Sequence, residues 1–269
     1  MDENISGPRP GMTQQGIAAV IITLNEEANL NRCLESVEGL VDEIIVLDSG
    51  SKDATVKIAQ SWGAQVWEVA WQGYATTKNQ GHRRASYSYI LSLDADEALS
   101  PALRKAIYAA KEEGLTGAYR INRLNHYCGR WIRYGGFYPD TKIRLFPKDE
   151  VYWQEKAVHE ILYCPSSLRI QELNGDLLHY SYYSRREHQE RLRRYAWLAA
   201  QQYQSRKGLF WKMWLSPAWR FLQIYILRGG FLDGKAGWHL CRGTALEVHL
   251  KYRWAYELQR GKKVENQPE

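Results

Sequence analysis

The chain has 269 residues, 45% of them hydrophobic, enough for one large α/β domain with an appendage and too much for wholesale disorder. Its net charge of +6 is unevenly placed: residues 181–269 hold 17 Lys and Arg against 7 Asp and Glu, a balance of +10, while residues 1–180 stand at −4. The four cysteines are far apart and form no C-x-x-C pair, which argues against a zinc site or a disulfide framework and fits a reduced cytoplasm.

Residues 1–16 are polar, lack an apolar h-region and read as a flexible leader rather than a secretory signal. IAAVIITLN, residues 17–25, is a continuous apolar and β-branched run, the pattern of a strand buried on both faces. Leu30, Cys33, Leu34 and Val37 then recur at i, i+3, i+4 and i+7, one face of a helix, and Cys33 reads as core. DEIIVLDSGSKD repeats the scheme, with a strand over 44–47, a polar loop and a helix from about Ala54. AQVWEVAW predicts a third strand, TTKNQGHRRASY a helix, and YILSLDADE a fourth strand. Ser100 followed by Pro101 predicts an N-cap and N1 pair opening a helix to about Glu112.

This βαβ alternation predicts an α/β fold with an open, Rossmann-like, mostly parallel sheet flanked by helices. In such sheets ligands lie beyond the carboxyl ends of the strands. Three polar clusters fall there: Thr23-Leu24-Asn25-Glu26, Asp48-Ser49-Gly50-Ser51 and Asp94-Ala95-Asp96. No G-x-G-x-x-G or G-x-x-x-x-G-K-[ST] accompanies them, which disfavours dinucleotide dehydrogenases and P-loop NTPases. Asp94 and Asp96 are two apart, on one face in extended geometry and roughly 7 Å from each other. A hard divalent cation accepts such oxygens and keeps positions open for phosphate. The plainer alternatives are a solvated acidic turn for this pair and a turn cap for Asp48. Glu97 reads as a helix-entry charge, and Arg144 as a partner of phosphate or of a carboxylate.

After Tyr119 the chain turns aromatic and rich in Arg and Gly, a small mixed extension closing the site. Trp131, Tyr134 and Tyr138 are candidates for stacking on a ligand ring or for packing, while His126, His179 and His188 lack metal-site spacing. A basic helix starts near Ser184, and an apolar stretch follows from Leu209. Lys212, Arg220 and Arg228 interrupt that stretch and Pro217 breaks it, so its longest uncharged runs are 7 residues, against roughly 20 for a membrane-crossing helix. Trp, Phe, Ile and Leu beside Lys and Arg suit an anionic membrane surface, with a dimer interface or simple core packing as the alternative. FLQIYIL is too apolar for a nucleic-acid face, and no nucleic-acid partner is expected.

VIITLNEEANLNRCLESV, EIIVLDSGSKDAT, YATTKNQGHRRAS and YILSLDADE together resemble family 2 inverting glycosyltransferases of the GT-A fold, over roughly residues 17–165. RLFPKD followed by VHE, with the tail LSPAWRFLQIYILRGGFLDGKAGWHL, is similar to the inner-core β-1,4-glucosyltransferase branch of lipopolysaccharide synthesis. The resemblance implies a catalytic domain over 17–180 and a basic, aromatic, helical, membrane-associating region over 181–269. It implies a UDP-sugar donor, Mg²⁺ or Mn²⁺, a lipopolysaccharide-type lipid-linked acceptor, and peripheral attachment to the cytoplasmic face of the inner membrane. Thr23, Leu24, Asn25 and Glu26 would border the nucleotide, with Ser49 beside Asp48, whose carboxylate would take the uracil N–H. Lys78 and Asn79 would lie near ribose or phosphate. Asp94 and Ala95 would line the donor, and Asp96 would be the main metal ligand, with Asp94 and His159 nearby. An inverting transfer also needs a base for the acceptor hydroxyl. Glu160 is favoured, His159 and Glu155 being rivals, because adjacent residues of a strand point to opposite faces. The alternatives are a sugar nucleotidyltransferase, which lacks its expected Gly-rich phosphate loop here, and a catalytically inactive membrane-binding scaffold of the same fold.

Overall fold

The computed structural model describes residues 14–155, 161–262 and 264. They divide into two units, Met1–Ile121 with Thr141–Leu177, and Asn122–Asp140 with Leu178–Glu269.

In the first unit the apolar runs form strands β1 (Gln14–Thr23), β2 (Glu43–Asp48), β3 (Gln65–Glu68) and β4 (Tyr87–Asp94). Helices α1 (Leu30–Val37), α2 (Thr55–Ser61) and α3 (Tyr74–Arg84) connect them. β1 pairs in parallel with β2 and β4, and β2 with β3. Residues 17–22 of β1 are buried on both faces, as the continuous apolar run predicts. Ile17 and Ile21 pack with Leu30, Cys33, Leu34 and Val37 of α1. Ala18, Val20 and Ile22 pack on the opposite side with Leu47 and Phe146. Helix α3 lies so close to the sheet that a Cβ on Gly81 would meet Val20 Cγ1 at 2.4 Å and Leu47 Cδ2 at 2.7 Å. That approach sets the depth at which the α3 side chains reach the strand ends.

A three-residue strand β5 (Glu97–Leu99) follows β4, and Ser100 Oγ then accepts the Leu103 N–H to cap α4 (Pro101–Glu112). Next come β6 (Ala118–Tyr127), β7 (Arg130–Ile132), β8 (Asp140–Pro147), β9 (Tyr152–Gln154), β10 (Ile161–Tyr163) and β11 (Ile170–Tyr182). The sheet order is β3-β2-β1-β4-β8-β6-β11-β5, with β7 beside β6; β9 and β10 form a separate antiparallel pair. The sheet is parallel through β4 and antiparallel from β4 to β8. This is the helix-flanked, GT-A-type α/β arrangement that the sequence predicts, with a sheet that is mixed rather than mostly parallel because the strands after β4 add in antiparallel fashion.

The second unit is mainly helical: α5 (Arg185–Tyr203), α6 (Leu209–Phe221) continuing through a π-helical turn over Leu222–Leu227, a short 3₁₀ turn over Gly230–Asp233, and α7 (Gly234–Gln259). Pro217 does not break the apolar stretch, contrary to the sequence expectation, but lies inside α6. A proline has no N–H for the carbonyl four residues back, here Met213. His249 of α7 supplies the missing donor, its Nδ1 lying 2.9 Å from the Met213 oxygen. No helix among the described residues is long and apolar enough to cross a membrane.

Candidate active site

Strand register brings the acidic ends together. Thr23 of β1 pairs with Asp48 of β2, and Ile22 with Asp94 of β4. Asp48 and Asp94 therefore flank the end of β1, their strands roughly 10 Å apart at the usual spacing.

The first two loops are laced by side chains. Asn25 has a positive φ of 55°; its N–H donates to Ser51 Oγ at 2.8 Å, and its Oδ1 accepts the Lys52 N–H at 2.8 Å. The Glu26 N–H donates to Thr55 Oγ1. Ser49 donates its N–H to the Thr23 carbonyl. Leu24 is exposed at the rim. The buried Asp48 carboxylate accepts from Thr23 Oγ1 at 3.0 Å and Ser51 Oγ on one oxygen, and from the N–H groups of Gly50 and Ser51 at 3.0 and 2.8 Å on the other. A carboxylate has about four lone-pair positions. The turn-cap alternative is thus what the geometry displays, and a uracil N–H reaching Asp48 must share an oxygen with one of these donors.

At the end of β4 two buried cations converge on one carboxylate. Lys78 of α3 is 2% exposed, and its Nζ lies 3.0 Å from Asp94 Oδ1, off the line of a well-formed hydrogen bond, so the contact is an ion pair. Arg144 of β8 is 3% exposed; its Nη2 lies 3.1 Å from Asp94 Oδ2 and 2.6 Å from Glu97 Oε1. Glu97 also accepts the Asp94 N–H at 3.0 Å. Burial works against the charged Arg144 guanidinium, but Glu97 and Asp94 beside it more than compensate and raise its pKa. Glu97 is thus no helix-entry charge: β5 carries it inward to meet a charge that would otherwise be buried alone. Arg144 takes the carboxylate-pairing alternative.

Lys78 Nζ also lies 4.5 Å from the centre of the Trp153 ring, a cation–π contact. Asn79 holds that ring's backbone, its Nδ2 donating to the Trp153 carbonyl at 2.7 Å and its Oδ1 accepting the Trp153 N–H at 2.9 Å. Asn79 therefore acts on the site through Trp153, a residue with no sequence signal of its own. Glu155 accepts from Thr76 Oγ1 at 2.7 Å, at the first turn of α3. Ala95 is buried and Asp96 half-buried. His159 and Glu160 lie outside the described residues.

Among the described residues no group of three or more His, Cys, Asp or Glu could hold a metal by itself. The donor set still fits a magnesium-like ion. Such ions are commonly held by one or two carboxylates, with substrate phosphates and water completing the shell. Asp96, half-buried just past the strand end, provides one such carboxylate, while both Asp94 oxygens are already engaged by Lys78 and Arg144.

Residues 18–169 match the profile of glycosyl transferase family 2. The chain is 30% identical over 259 residues to the lipopolysaccharide core biosynthesis glycosyltransferase LpsC of Rhizobium meliloti (strain 1021), covering 88% of this chain and 93% of that one. It is 41% identical over 111 residues to an uncharacterized glycosyltransferase of Rickettsia bellii (strain RML369-C), 40% of this chain and 38% of that one. Among solved structures, TarS 1-349 of S. aureus in complex with UDP-GlcNAc aligns at a TM-score of 0.48 and 12% identity, over 92% of this chain and 93% of that one. Glucosyl-3-phosphoglycerate synthase of Mycobacterium tuberculosis, in complex with Mn²⁺, UDP and glucosyl-3-phosphoglycerate, aligns at 0.35 and 26%, over 44% and 50%.

Proposed function

The chain belongs to glycosyl transferase family 2, and from that premise we propose that it transfers glucose from UDP-glucose, with inversion, to an inner-core heptose of a lipopolysaccharide-type, lipid-linked acceptor. The observation that carries the donor half is the convergence of Lys78 and Arg144 on Asp94 at the carboxyl edge of the parallel sheet. Asp94, held from both sides, presents a fixed carboxylate to donor hydroxyls. Asp96, with Asp94 beside it, would hold Mg²⁺ or Mn²⁺, which neutralises charge on the leaving diphosphate. The acceptor half is supported by the similarity to LpsC over most of both chains.

In a single displacement the acceptor oxygen forms a bond to the anomeric carbon while the carbon–oxygen bond to UDP breaks, and UDP leaves with the electron pair. Glu160 takes the acceptor hydroxyl proton, with Glu155 and His159 as rivals. The family's chemistry leaves a sugar nucleotidyltransferase without support.

The tail's role is adsorption to an anionic membrane surface. Trp211, Trp214, Leu215, Trp219, Leu222 and Ile226 are all exposed and follow helical spacing from α6 into the π-helical turn, with Lys212 and Arg220 beside them. Apolar rings and basic side chains on one helix suit the headgroup boundary.

The test is transfer of radiolabelled sugar from UDP-glucose, UDP-galactose and UDP-GlcNAc to heptose-terminated core lipid and to its heptose-free counterpart. Incorporation from UDP-glucose that needs the heptose supports the proposal. Equal labelling of both acceptors, or preference for another donor, sinks the corresponding half.

A further inference from the structure

Two adjoining hollows in the second unit share Arg242 and Leu246. The smaller, of about 140 Å³, is lined by polar groups that include Arg185, His188, Gln189 and His239. The larger is an open groove of about 460 Å³ between α6 and α7, walled by Met213, Trp214, Pro217, Phe221 and Trp238, with His249 beside them. Its size is that of an ordinary small-molecule site. The smaller hollow is cationic and the larger is walled mainly by hydrocarbon, with Arg242 and Leu246 bordering both.

The cationic end holds a surplus of charge. Among the described residues neither Arg185 nor Arg242 makes an ion pair, while Glu187, the nearest acid on α5, is already engaged by Arg191 at 3.6 Å and by the Tyr183 N–H. Arg185 and Arg242 both line the smaller hollow, and partial burial, then Arg185, Arg242 and Lys235, hold the His239 imidazole beside them below its ordinary pKa. His188 is buried and its Nδ1 is engaged with Tyr127 Oη at 3.0 Å. A Cβ on Gly243 would lie 2.4 Å from the His188 ring, so a side chain there would close the smaller hollow. The groove end meets the exposed stripe, because Trp214 belongs to both.

We propose that the two hollows together bind one anionic phospholipid, its phosphate between Arg185 and Arg242 and a hydrocarbon chain in the groove walled by Trp214, Phe221 and Trp238. This deepens the membrane-surface reading above and rests on it. The stripe gives diffuse adsorption, whereas the joined hollows give a stoichiometric site that fixes how the second unit sits on the lipid.

The test uses the full chain and dihexanoyl phosphatidylglycerol below its micelle concentration, followed by tryptophan fluorescence and calorimetry. Dihexanoyl phosphatidylcholine and inorganic phosphate are the comparison probes. One anionic lipid per chain is expected, at least tenfold tighter than the zwitterionic one. R185Q with R242Q should weaken binding about tenfold or more, and A245W, which fills the groove wall, should do the same. R185Q alone, at an exposed position, is the mild variant if the pair lowers the melting temperature. W211S/L215S/W219S lies outside both hollows; it should lose vesicle binding yet keep the short-chain lipid, which separates the site from the surface. Equal affinity for the two lipids overturns the proposal, as does absence of saturable binding by a chain that still binds vesicles. Phosphate competing at the same affinity, with A245W indifferent, overturns it in favour of a plain anion site.

Discussion

Arg144 Nη2 lies 2.6 Å from Glu97 Oε1 with both side chains sealed from solvent, and the same nitrogen reaches Asp94. The Asp94 N–H returns to Glu97, closing a ring of three contacts around the D-x-D turn. Breaking one member of a buried pair strands the other, at a cost of about 3–5 kcal/mol. Glu97→Gln and Arg144→Met should each lower unfolding free energy on that scale in denaturant titrations. The double variant Glu97→Leu/Arg144→Met should recover much of the loss. Single variants as stable as the parent would remove the pair from the architecture.

Asp94 and Asp96 should separate by readout. Asp96 is half-buried just past the end of β4, so Asp96→Ala should lower transfer by roughly 10²- to 10³-fold, the scale of losing one preorganised electrostatic contact, and leave the chain folded. Asp94→Asn deprives two buried cations of their shared anion and should cost activity together with about 1–3 kcal/mol of stability. Turnover at the parental rate by Asp96→Ala would end its assignment to the metal.

Glu160→Gln should retain UDP-glucose binding while kcat collapses, since the lost proton acceptor acts only on the second substrate. Glu155 is hydrogen-bonded to Thr76 on α3, and Glu155→Gln should leave kcat within a few-fold of the parent. The reverse pattern, or a collapse only in His159→Ala, would move the base.

The stripe on α6 should be tested by substitution rather than deletion, because Leu209, Met213 and Ile224 of the same segment are buried and removing 209–232 would take core with it. Trp211→Ser/Leu215→Ser/Trp219→Ser should reduce cosedimentation with anionic vesicles by tenfold or more at an unchanged melting temperature. Binding that persists at the parental level would dismiss the stripe. Residual binding by the variant should fall with added salt, as screened charge does.

Acid should destabilise the second unit through His188. Burial, then Arg191, lowers its pKa to about 4, against roughly 6.5 in an unfolded chain. The folded state therefore prefers the neutral ring. This contribution is complete above pH 6.5 and is lost as pH falls through 6.5 to about 4, by up to about 3 kcal/mol. His188→Gln should flatten that part of a stability–pH curve measured by chemical denaturation. An unchanged slope would place the acid sensitivity elsewhere.

Periodicity carried the parallel half of the fold. Residues 17–22 bury on both faces, Cys33 sits on the apolar face of α1, and Ser100 with Pro101 opens α4. Parallel strands then bring Thr23, Asp48 and Asp94 to one edge without further information. The partners of those residues were not legible. Glu97 and Arg144 are 47 positions apart, and only the sheet path joins them. Trp153 becomes the floor of Lys78 because Asn79 pins its backbone, a relation no local pattern encodes. Pro217 misled because a breaker in isolation is tolerated wherever another helix supplies the donor.

The His249 contact to the Met213 carbonyl makes α6 a conditional helix. Its central turn is completed only when α7, later in the chain, has folded against it. Until then one carbonyl in the middle of an apolar segment depends on water, which favours a frayed or bent helix there. During synthesis the aromatic stripe is therefore finished after the strands of the first unit, once the last helix has formed. Adsorption through that stripe, as proposed above, would then be a late step of maturation.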